Sequence, residues 1–203
     1  MTKLIIVRHC QAAGNLERFF QGKIDSDITP LGQKQIATTS EFLKDEKIDV
    51  IYTSTKKRAR LSADGINKYH NLPVIIDERL CEIDAGKWEG VYLTDIERLY
   101  PEQFYNWRNV PSEFQAPDGE SMADVYNRVS AALNDIITDN IGKTVCIVSH
   151  ACAIKNMVCY LHGKSVDDVG NYPIGTNMSV NIVKTDENMK TEFLLENYSG
   201  HLT

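Results

Sequence analysis

Short apolar runs alternate along the chain with stretches of helical periodicity. The runs at 4–7 and 145–148 are rich in β-branched residues and contain no polar residue, which is typical of strands buried on both faces of a parallel sheet. We predict six strands, at 3–7, 48–52, 74–76, 144–148, 179–183 and 192–195. No helical stretch separates the last two strands, so we expect them to form an antiparallel hairpin at one edge of the sheet.

Helix start signals lie between these strands. Thr29 followed by Pro30 is an N-cap with proline at the first helical position. Ser121 and Asp124 have the spacing of a capping box, and apolar residues follow at helical intervals. The same helical spacing continues after His150. Strands separated by helices in this way favour a parallel sheet that is covered on both faces.

The predicted fold is therefore an α/β three-layer sandwich with a mostly parallel central sheet. We expect a single domain over residues 1–203, with helices on both faces, an antiparallel edge and a small cap over the C-terminal ends of the strands. The cap is predicted at about 99–117, where five aromatic residues and three prolines occur without a regular period. The alternative interpretation is that these aromatic residues pack a long connection onto the sheet. Both interpretations stay open at the level of sequence.

Composition narrows the class of protein. The chain is 42% apolar and 25% charged, as is usual for a globular domain. Its 22 basic and 28 acidic residues give a net charge of −6, which argues against binding to nucleic acid or to an anionic membrane surface. The five cysteines form no C-x-x-C pair, and no apolar stretch approaches the roughly 18 residues of a membrane span. We expect a cytoplasmic protein with reduced thiols.

Reactive side chains follow four of the predicted strands. Arg8 and His9 follow the first strand, Arg58 the second, Glu82 the third and His150 the fourth. Open α/β sheets bind ligands beyond the carboxyl ends of their strands, so these five groups are candidates for one site. Their types suit phosphoryl transfer without a metal. Arginines neutralise phosphoryl oxygens, a histidine attacks phosphorus, and a carboxylate handles the leaving-group proton.

Short motifs follow one another from residue 3 to about residue 183. They are Leu-Ile-Ile-Val-Arg-His at 4–9, Asp-Ile-Thr-Pro-Leu-Gly at 27–32, Ser-x3-Arg-Ala at 54–59, Glu-x3-Gly-x-Trp-Glu-Gly at 82–90, Asp-Gly-Glu-Ser at 118–121 and Val-Ser-His at 148–150. This ordered set resembles the histidine phosphatase superfamily, the phosphoglycerate-mutase-like proteins. The resemblance implies a metal-independent phosphatase that needs no cofactor and hydrolyses small phosphorylated metabolites.

The resemblance also implies roles at the matching positions. His9 would be the nucleophile that becomes phosphohistidine, and Glu82 would be the general acid and then the base for water. Asp84 competes for this role by residue type, but the Glu-x3-Gly spacing that ends at Gly86 favours Glu82. The implied catalytic residues are His9, Glu82, His150, Arg8 and Arg58. The implied substrate-binding residues are Arg8, Asn15, Gln21, Gly22, Arg58, His150 and Ala151.

Four residues depart from the family pattern. Cys10 and Ala151 stand where glycine is usual, Ala12 stands in place of a threonine, and Phe19 stands in place of an arginine. Cys10 is either an accessible, oxidisable thiol beside His9 or a buried thiol that fills a small gap. Reactivity requires access and a lowered thiol pKa, so the two interpretations predict opposite responses to peroxide.

Other functions are weighed against the phosphatase. A cofactor-dependent phosphoglycerate mutase shares the pocket but returns the phosphoryl group to its substrate, and such mutases are usually longer. The departures motivate a degenerate module that only binds phosphorylated ligands. A metal site could be drawn from His9, Cys10, His150 and Cys152, although adjacent His–Cys pairs rarely bind one ion. The natural substrate and the oligomeric state do not follow from the sequence.

Overall fold

One mixed sheet organises the chain. The structure, a computed structural model, describes residues 1–186 and 188–203. The strands in this part of the chain are β1 Thr2–Arg8, β2 Val50–Thr53, β3 Val74–Ile76, β4 Thr144–Ser149, β5 Val180–Thr185 and β6 Thr191–Tyr198. The α-helices are α1 Ala13–Glu17, α2 Pro30–Leu43, α3 Lys57–Asn67, α4 Leu93–Leu99, α5 Pro101–Asn109, α6 Met122–Asp139 and α7 Ala151–Leu161.

The strand order is β3-β2-β4-β1-β5-β6. The pairs β2–β3, β2–β4 and β1–β4 are parallel, whereas β1–β5 and β5–β6 are antiparallel. The predicted mostly parallel sheet with an antiparallel edge is confirmed. Strands β2, β5 and β6 are each displaced by one to three residues from their predicted bounds, because apolar pattern locates strand ends poorly.

Helices cover both faces of the sheet, as predicted. On β1, Leu4 and Ile6 pack with the apolar stripes of α6 and α7, while Ile5 and Val7 pack on the opposite face against α2 and α3. Successive strand residues point to opposite faces, so a strand covered on both faces shows no polar alternation. This is the physical reason for the uninterrupted apolar runs.

The predicted helix caps form. The Thr29 hydroxyl accepts a hydrogen bond from the Gly32 backbone N–H at 3.0 Å. At the start of α6, the Asp124 N–H donates to the Ser121 hydroxyl at 3.0 Å, and the Ser121 N–H donates to the Asp124 carboxylate at 2.9 Å. Both caps satisfy backbone donors that have no partner within their helix.

The segment at 99–117 is more regular than its sequence pattern indicates. The segment contains α5, which starts at Pro101. Its first residue, Leu99, is the last residue of α4. No residue of α5 is fully buried, and a helix without a buried stripe shows no clear period. Trp107 and Phe114 join an aromatic cluster with Trp88 and Phe20. No helix in the described ranges is long and apolar enough to span a bilayer.

Candidate active site

The parallel pairing of β1 with β4 brings the two predicted histidines together. Arg8 lies opposite Ser149 in the register, and the His9 N–H donates to the Ser149 carbonyl at 2.9 Å. His9 and His150 therefore leave the sheet side by side, with ring centroids 5.0 Å apart. Both rings are almost fully buried.

A backbone hydrogen bond fixes the tautomer of His9. Its Nδ1 lies 2.7 Å from the Cys10 carbonyl, which can only accept, so Nδ1 carries the proton and Nε2 keeps its lone pair. Burial lowers the pKa of His9 well below its usual value, and the positive charges of Arg58 and Arg8 lower this pKa further. The ring is therefore neutral at neutral pH, as a nucleophile must be.

His150 is anchored through one ring nitrogen. Its Nε2 lies 2.7 Å from the Ser54 hydroxyl, and its buried Nδ1 has no hydrogen-bond partner among the described residues. Burial, followed by the charge of Arg58, lowers the pKa of His150 well below its usual value. When Ser54 donates to Nε2, the Nδ1–H of the neutral ring becomes a donor available to an anion.

Two arginines are held by backbone carbonyls, and each keeps a buried Nε donor. Arg8 donates from Nη1 to the Gly175 carbonyl at 2.6 Å, and the fully buried Arg58 donates to three carbonyls of the 21–24 loop. The Nε atoms of both arginines are buried without a partner within the described ranges. Burial lowers the pKa of both guanidinium groups, whereas the charge of Glu82 raises it. Buried donors left without acceptors are costly, and an anion would satisfy them.

Gln21 and Asn15 add amide donors at the same place. The Gln21 Oε1 accepts from the Ser26 hydroxyl at 2.7 Å, while its buried Nε2 has no partner in the part of the chain that is described. The Asn15 Oδ1 accepts from the Ala12 N–H at 3.0 Å and from the Asn177 side chain at 3.3 Å. Both side chains therefore have their carbonyl oxygens occupied and their NH2 groups left for a ligand.

A cavity of about 210 Å³ opens onto His9. It is lined by Arg8, His9, Asn15, Phe19, Phe20, Gln21, Glu82, Leu93, Trp107, Ala151, Cys152 and Ile174. Of the predicted site residues, Arg58, His150 and Gly22 lie outside this lining, and the first two are wholly buried. The cavity therefore has a polar end at His9 and an aromatic and aliphatic wall supplied in part by α4 and α5.

Glu82 reaches the cavity from the loop after β3. Its Oε1 accepts from the backbone N–H groups of Cys152 at 3.1 Å and Ala153 at 3.3 Å, in the first turn of α7. Asp84, its competitor by residue type, does not line the cavity at His9; it lines an adjoining groove, which Glu82 also lines, and pairs with Lys23 at 2.5 Å. The geometry therefore favours Glu82 as the carboxylate that faces a ligand at His9.

Cys10 points away from the cavity. Its side chain belongs to the core cluster on the α2 and α3 face, and it is fully buried. Burial raises the pKa of its thiol. Of the two interpretations open from the sequence, the accessible thiol is wrong and the buried filler is correct. Among the described residues, no group of three His, Cys, Asp or Glu side chains could hold a metal ion.

Sequence reasoning missed Asn177 and Ser54. The Asn177 Nδ2 donates to the His9 carbonyl at 2.9 Å, and Ser54 anchors His150. A usable signal existed for both residues. Ser54 directly follows β2, and Asn177 precedes β5, an antiparallel strand that begins at the edge where β1 ends.

Comparison with known proteins identifies the family of the chain. The family model "Histidine phosphatase superfamily (branch 1)" matches residues 4–197. The chain belongs to this superfamily. Phosphoserine phosphatase 1 of Hydrogenobacter thermophilus is 35% identical over 202 residues, which cover 100% of this chain and 95% of that protein. Phosphoglycerate mutase 1 of Saccharomyces cerevisiae is 30% identical, with 94% and 90% covered.

The fold of the histidine phosphatase superfamily is also found by structural comparison. The solved structure of Bacillus stearothermophilus YhfR matches with a TM-score of 0.93 at 29% identity, with 100% of both chains covered. The family expected from the ordered motifs and the α/β fold class are confirmed. The phosphatases among the relatives agree with the expected phosphoric monoester hydrolase.

Proposed function

We propose that this protein hydrolyses small phosphate monoesters through a phosphohistidine on His9. The observation that carries the proposal is the set of unpartnered buried donors around the His9 ring: Arg8 Nε, Arg58 Nε, His150 Nδ1 and Gln21 Nε2. Fixed donors of this kind stabilise the charge on a transferring phosphoryl group. The neutral His9 ring with its free Nε2 supplies the nucleophile.

The reaction has two steps. The His9 Nε2 attacks phosphorus, the N–P bond forms and the P–O bond to the leaving alcohol breaks, while Glu82 gives that oxygen a proton. Glu82 then takes a proton from water, whose oxygen attacks phosphorus; the O–P bond forms, the N–P bond breaks with its electron pair returning to the His9 Nε2, and inorganic phosphate leaves. Arg8, Arg58, His150, Asn15 and Gln21 bind the phosphoryl oxygens throughout. Ala151 contributes backbone at the edge of this site, whereas Gly22 acts through Arg58, whose Nη2 donates to the Gly22 carbonyl.

The substrate is proposed to carry a second anionic group. A neighbouring cavity of about 390 Å³ shares Trp107, Cys152 and Ile174 with the first cavity and is also lined by Arg108 and Lys155. Neither of these cations has a carboxylate partner among the described residues. A phosphate ester with a carboxylate, such as the substrate named by the phosphoserine phosphatase relative, fits this pair of cavities.

The helices α4 and α5 act in this proposal as the cap of a single domain. They extend the predicted cap to begin at Leu93, because Leu93 and Trp107 both line the cavity at His9. A small phosphorylated metabolite is the expected partner. The five cysteines are free, which supports a cytoplasmic location.

Phosphoryl transfer to His9 is tested by trapping the intermediate. A radiolabelled phosphate ester should label the wild type in an acid-labile, base-stable form, and His9→Ala should lose both label and turnover. His162→Ala changes a histidine far from the cavity and should keep both. Label that persists in His9→Ala would overturn the proposal. Assays with a phosphoglycerate separate the mutase alternative, since a mutase yields the isomer and a phosphatase yields inorganic phosphate.

A further inference from the structure

The Glu89 carboxylate, which lies outside the cavity, binds the backbone N–H groups of the loop at 21–24. Glu89 accepts hydrogen bonds from three consecutive N–H groups: Gly22 at 3.1 Å, Lys23 at 2.7 Å and Ile24 at 3.1 Å. Consecutive backbone N–H groups that point inward form a site for an anion. Here the bound anion is the Glu89 carboxylate of the same protein. Trp88, its neighbour, is buried in the core and anchors the segment that carries it.

The opposite side of the same loop holds Arg58. Its Nη2 donates to the carbonyls of Gln21 at 3.1 Å and Gly22 at 3.2 Å, and its Nη1 donates to the Ile24 carbonyl at 2.7 Å. The peptide units 21–22 and 22–23 therefore have their N–H groups on Glu89 and their carbonyls on Arg58. Each peptide dipole lies between a negative and a positive side chain, which is the favourable orientation at both ends.

The 21–24 loop holds the Arg58 guanidinium in a fixed position. Arg58 has no exposed side-chain surface, and its one carboxylate contact within the described ranges is Asp25 at 3.4 Å. Both terminal nitrogens are engaged by the loop, so Nε is the donor that remains. A side chain at Gly22 would meet the Ile83 carbonyl at 2.0 Å and the Glu89 carboxylate at 2.5 Å. The loop is thus packed tightly between Glu89 and Arg58.

We propose that Glu89 is a positioning residue for Arg58. Its carboxylate fixes the 21–24 loop, and the carbonyls of that loop hold the guanidinium with Nε free for a phosphoryl oxygen. The inference rests on the proposed function, in which Arg58 binds the transferring group. It adds that the anion affinity of the site depends on a carboxylate that does not touch the substrate.

The test is a double-mutant cycle. Glu89→Gln removes the charge and one acceptor oxygen, and Arg58→Lys keeps a positive charge but loses the planar fork that three carbonyls hold. Binding of orthovanadate is measured by calorimetry, together with kcat/KM for p-nitrophenyl phosphate. Each single variant should weaken vanadate binding by about tenfold, and the coupling between the two positions should also be about tenfold, a size usual within one hydrogen-bond network. The double variant should be no weaker than Arg58→Lys alone.

Control variants separate positioning from loss of fold. Glu192→Gln changes an exposed carboxylate on β6 and should bind vanadate as the wild type does. A cycle of Glu89→Gln with Asn15→Ala should be additive, because these residues share no hydrogen-bond partner. If Glu89→Gln does not fold, Glu89→Asp takes the place of that variant in the cycle. It keeps the negative charge on a side chain that is shorter by one methylene group.

Two outcomes would overturn the inference. One is unchanged vanadate affinity in folded Glu89→Gln, and the other is a double variant whose losses multiply. A wild type that neither binds vanadate nor hydrolyses phosphate esters would instead refute the proposed function. The two failures are therefore distinguishable.

Discussion

Acid should destabilise this protein through the two histidines of the site. His9 and His150 are buried beside two arginines, and burial lowers the pKa of both rings well below the usual value. In the unfolded chain each ring titrates near pH 6.5. As the pH falls below about 6.5, the two histidines bind protons in the unfolded state but stay neutral in the folded state. Stability is therefore present above this pH and is lost progressively down to the folded-state pKa.

The size of the effect follows from this difference in proton binding. At pH 5.5 an unfolded histidine is protonated about ten times out of eleven, and linkage converts this into a loss of about 1.4 kcal/mol for each ring that stays neutral when folded. If both folded rings stay neutral, the pair should lose at most about 2.8 kcal/mol between pH 7.5 and pH 5.5. A loss of that size is a large fraction of the 5–15 kcal/mol typical of a folded protein.

Urea denaturation at pH 7.5, 6.5 and 5.5 measures this loss in the wild type, in His9→Gln, in His150→Gln and in the double variant. Only the change in unfolding free energy with pH is compared, so the intrinsic cost of each substitution cancels. The other three histidines are present in every variant and cancel as well. Each substitution should remove about 1.4 kcal/mol of the pH-dependent loss. A double variant with the same pH dependence as the wild type would refute the reasoning.

Three further variants test individual features. Glu82→Gln should slow hydrolysis of alkyl phosphates by a factor of roughly 10²–10⁴ but affect p-nitrophenyl phosphate much less, because its phenolate leaves without a proton. An equal loss on the two substrates, or the same pattern in Asp84→Asn, would contradict the assignment of Glu82 as the general acid. Trp107→Ala should reorder preferences across a panel of phosphate esters, while Tyr105→Ala, exposed on the same helix, should not; uniform losses would make Trp107 a packing residue. Cys10→Gly should be as sensitive to peroxide as the wild type, because the Cys10 thiol is buried with a raised pKa; a resistant variant would show that this thiol is reached.

The sheet and the gathering of the candidate catalytic groups could be predicted from sequence because both follow from strand geometry. Uninterrupted apolar runs identify β1 and β4 as central strands that are buried on both faces of the sheet. The carboxyl ends of parallel strands meet at the same edge of the sheet. Arg8, His9, Arg58, Glu82 and His150 were therefore assigned to one edge from their positions alone. In the structure, the β1–β4 register places the two histidines side by side.

Interactions made by the backbone could not be predicted in the same way. The carbonyls that hold Arg58 and the N–H groups that surround Glu89 belong to every residue type, so no pattern of side chains records them. The direction of Cys10 was equally hidden, since the alternation of β1 ends at Arg8 and the next side chains follow the turn. Helix α5 does not show in the sequence pattern because Phe104 and Trp107 are only half buried and Tyr105 is exposed.

The buried donors of the site connect its stability to its function. An unsatisfied buried donor costs about 1–3 kcal/mol, and more when it is charged. Arg8, Arg58, His150 and Gln21 each hold one such donor within the described residues, so the free protein carries a cost that packing elsewhere must offset. Backbone carbonyls hold Arg8 through Nη1 and Arg58 through both terminal nitrogens, and the Nε of each arginine has no partner within the described residues. Under the proposed function a phosphoryl group would supply the missing acceptors, and a ligand at a concentration of 100 times its Kd would add about 2.7 kcal/mol to stability. Burial beside the same arginines lowers the pKa of both histidines, so under the proposed function one buried environment accounts for the anion affinity, for the neutral nucleophile and for the sensitivity of the fold to acid.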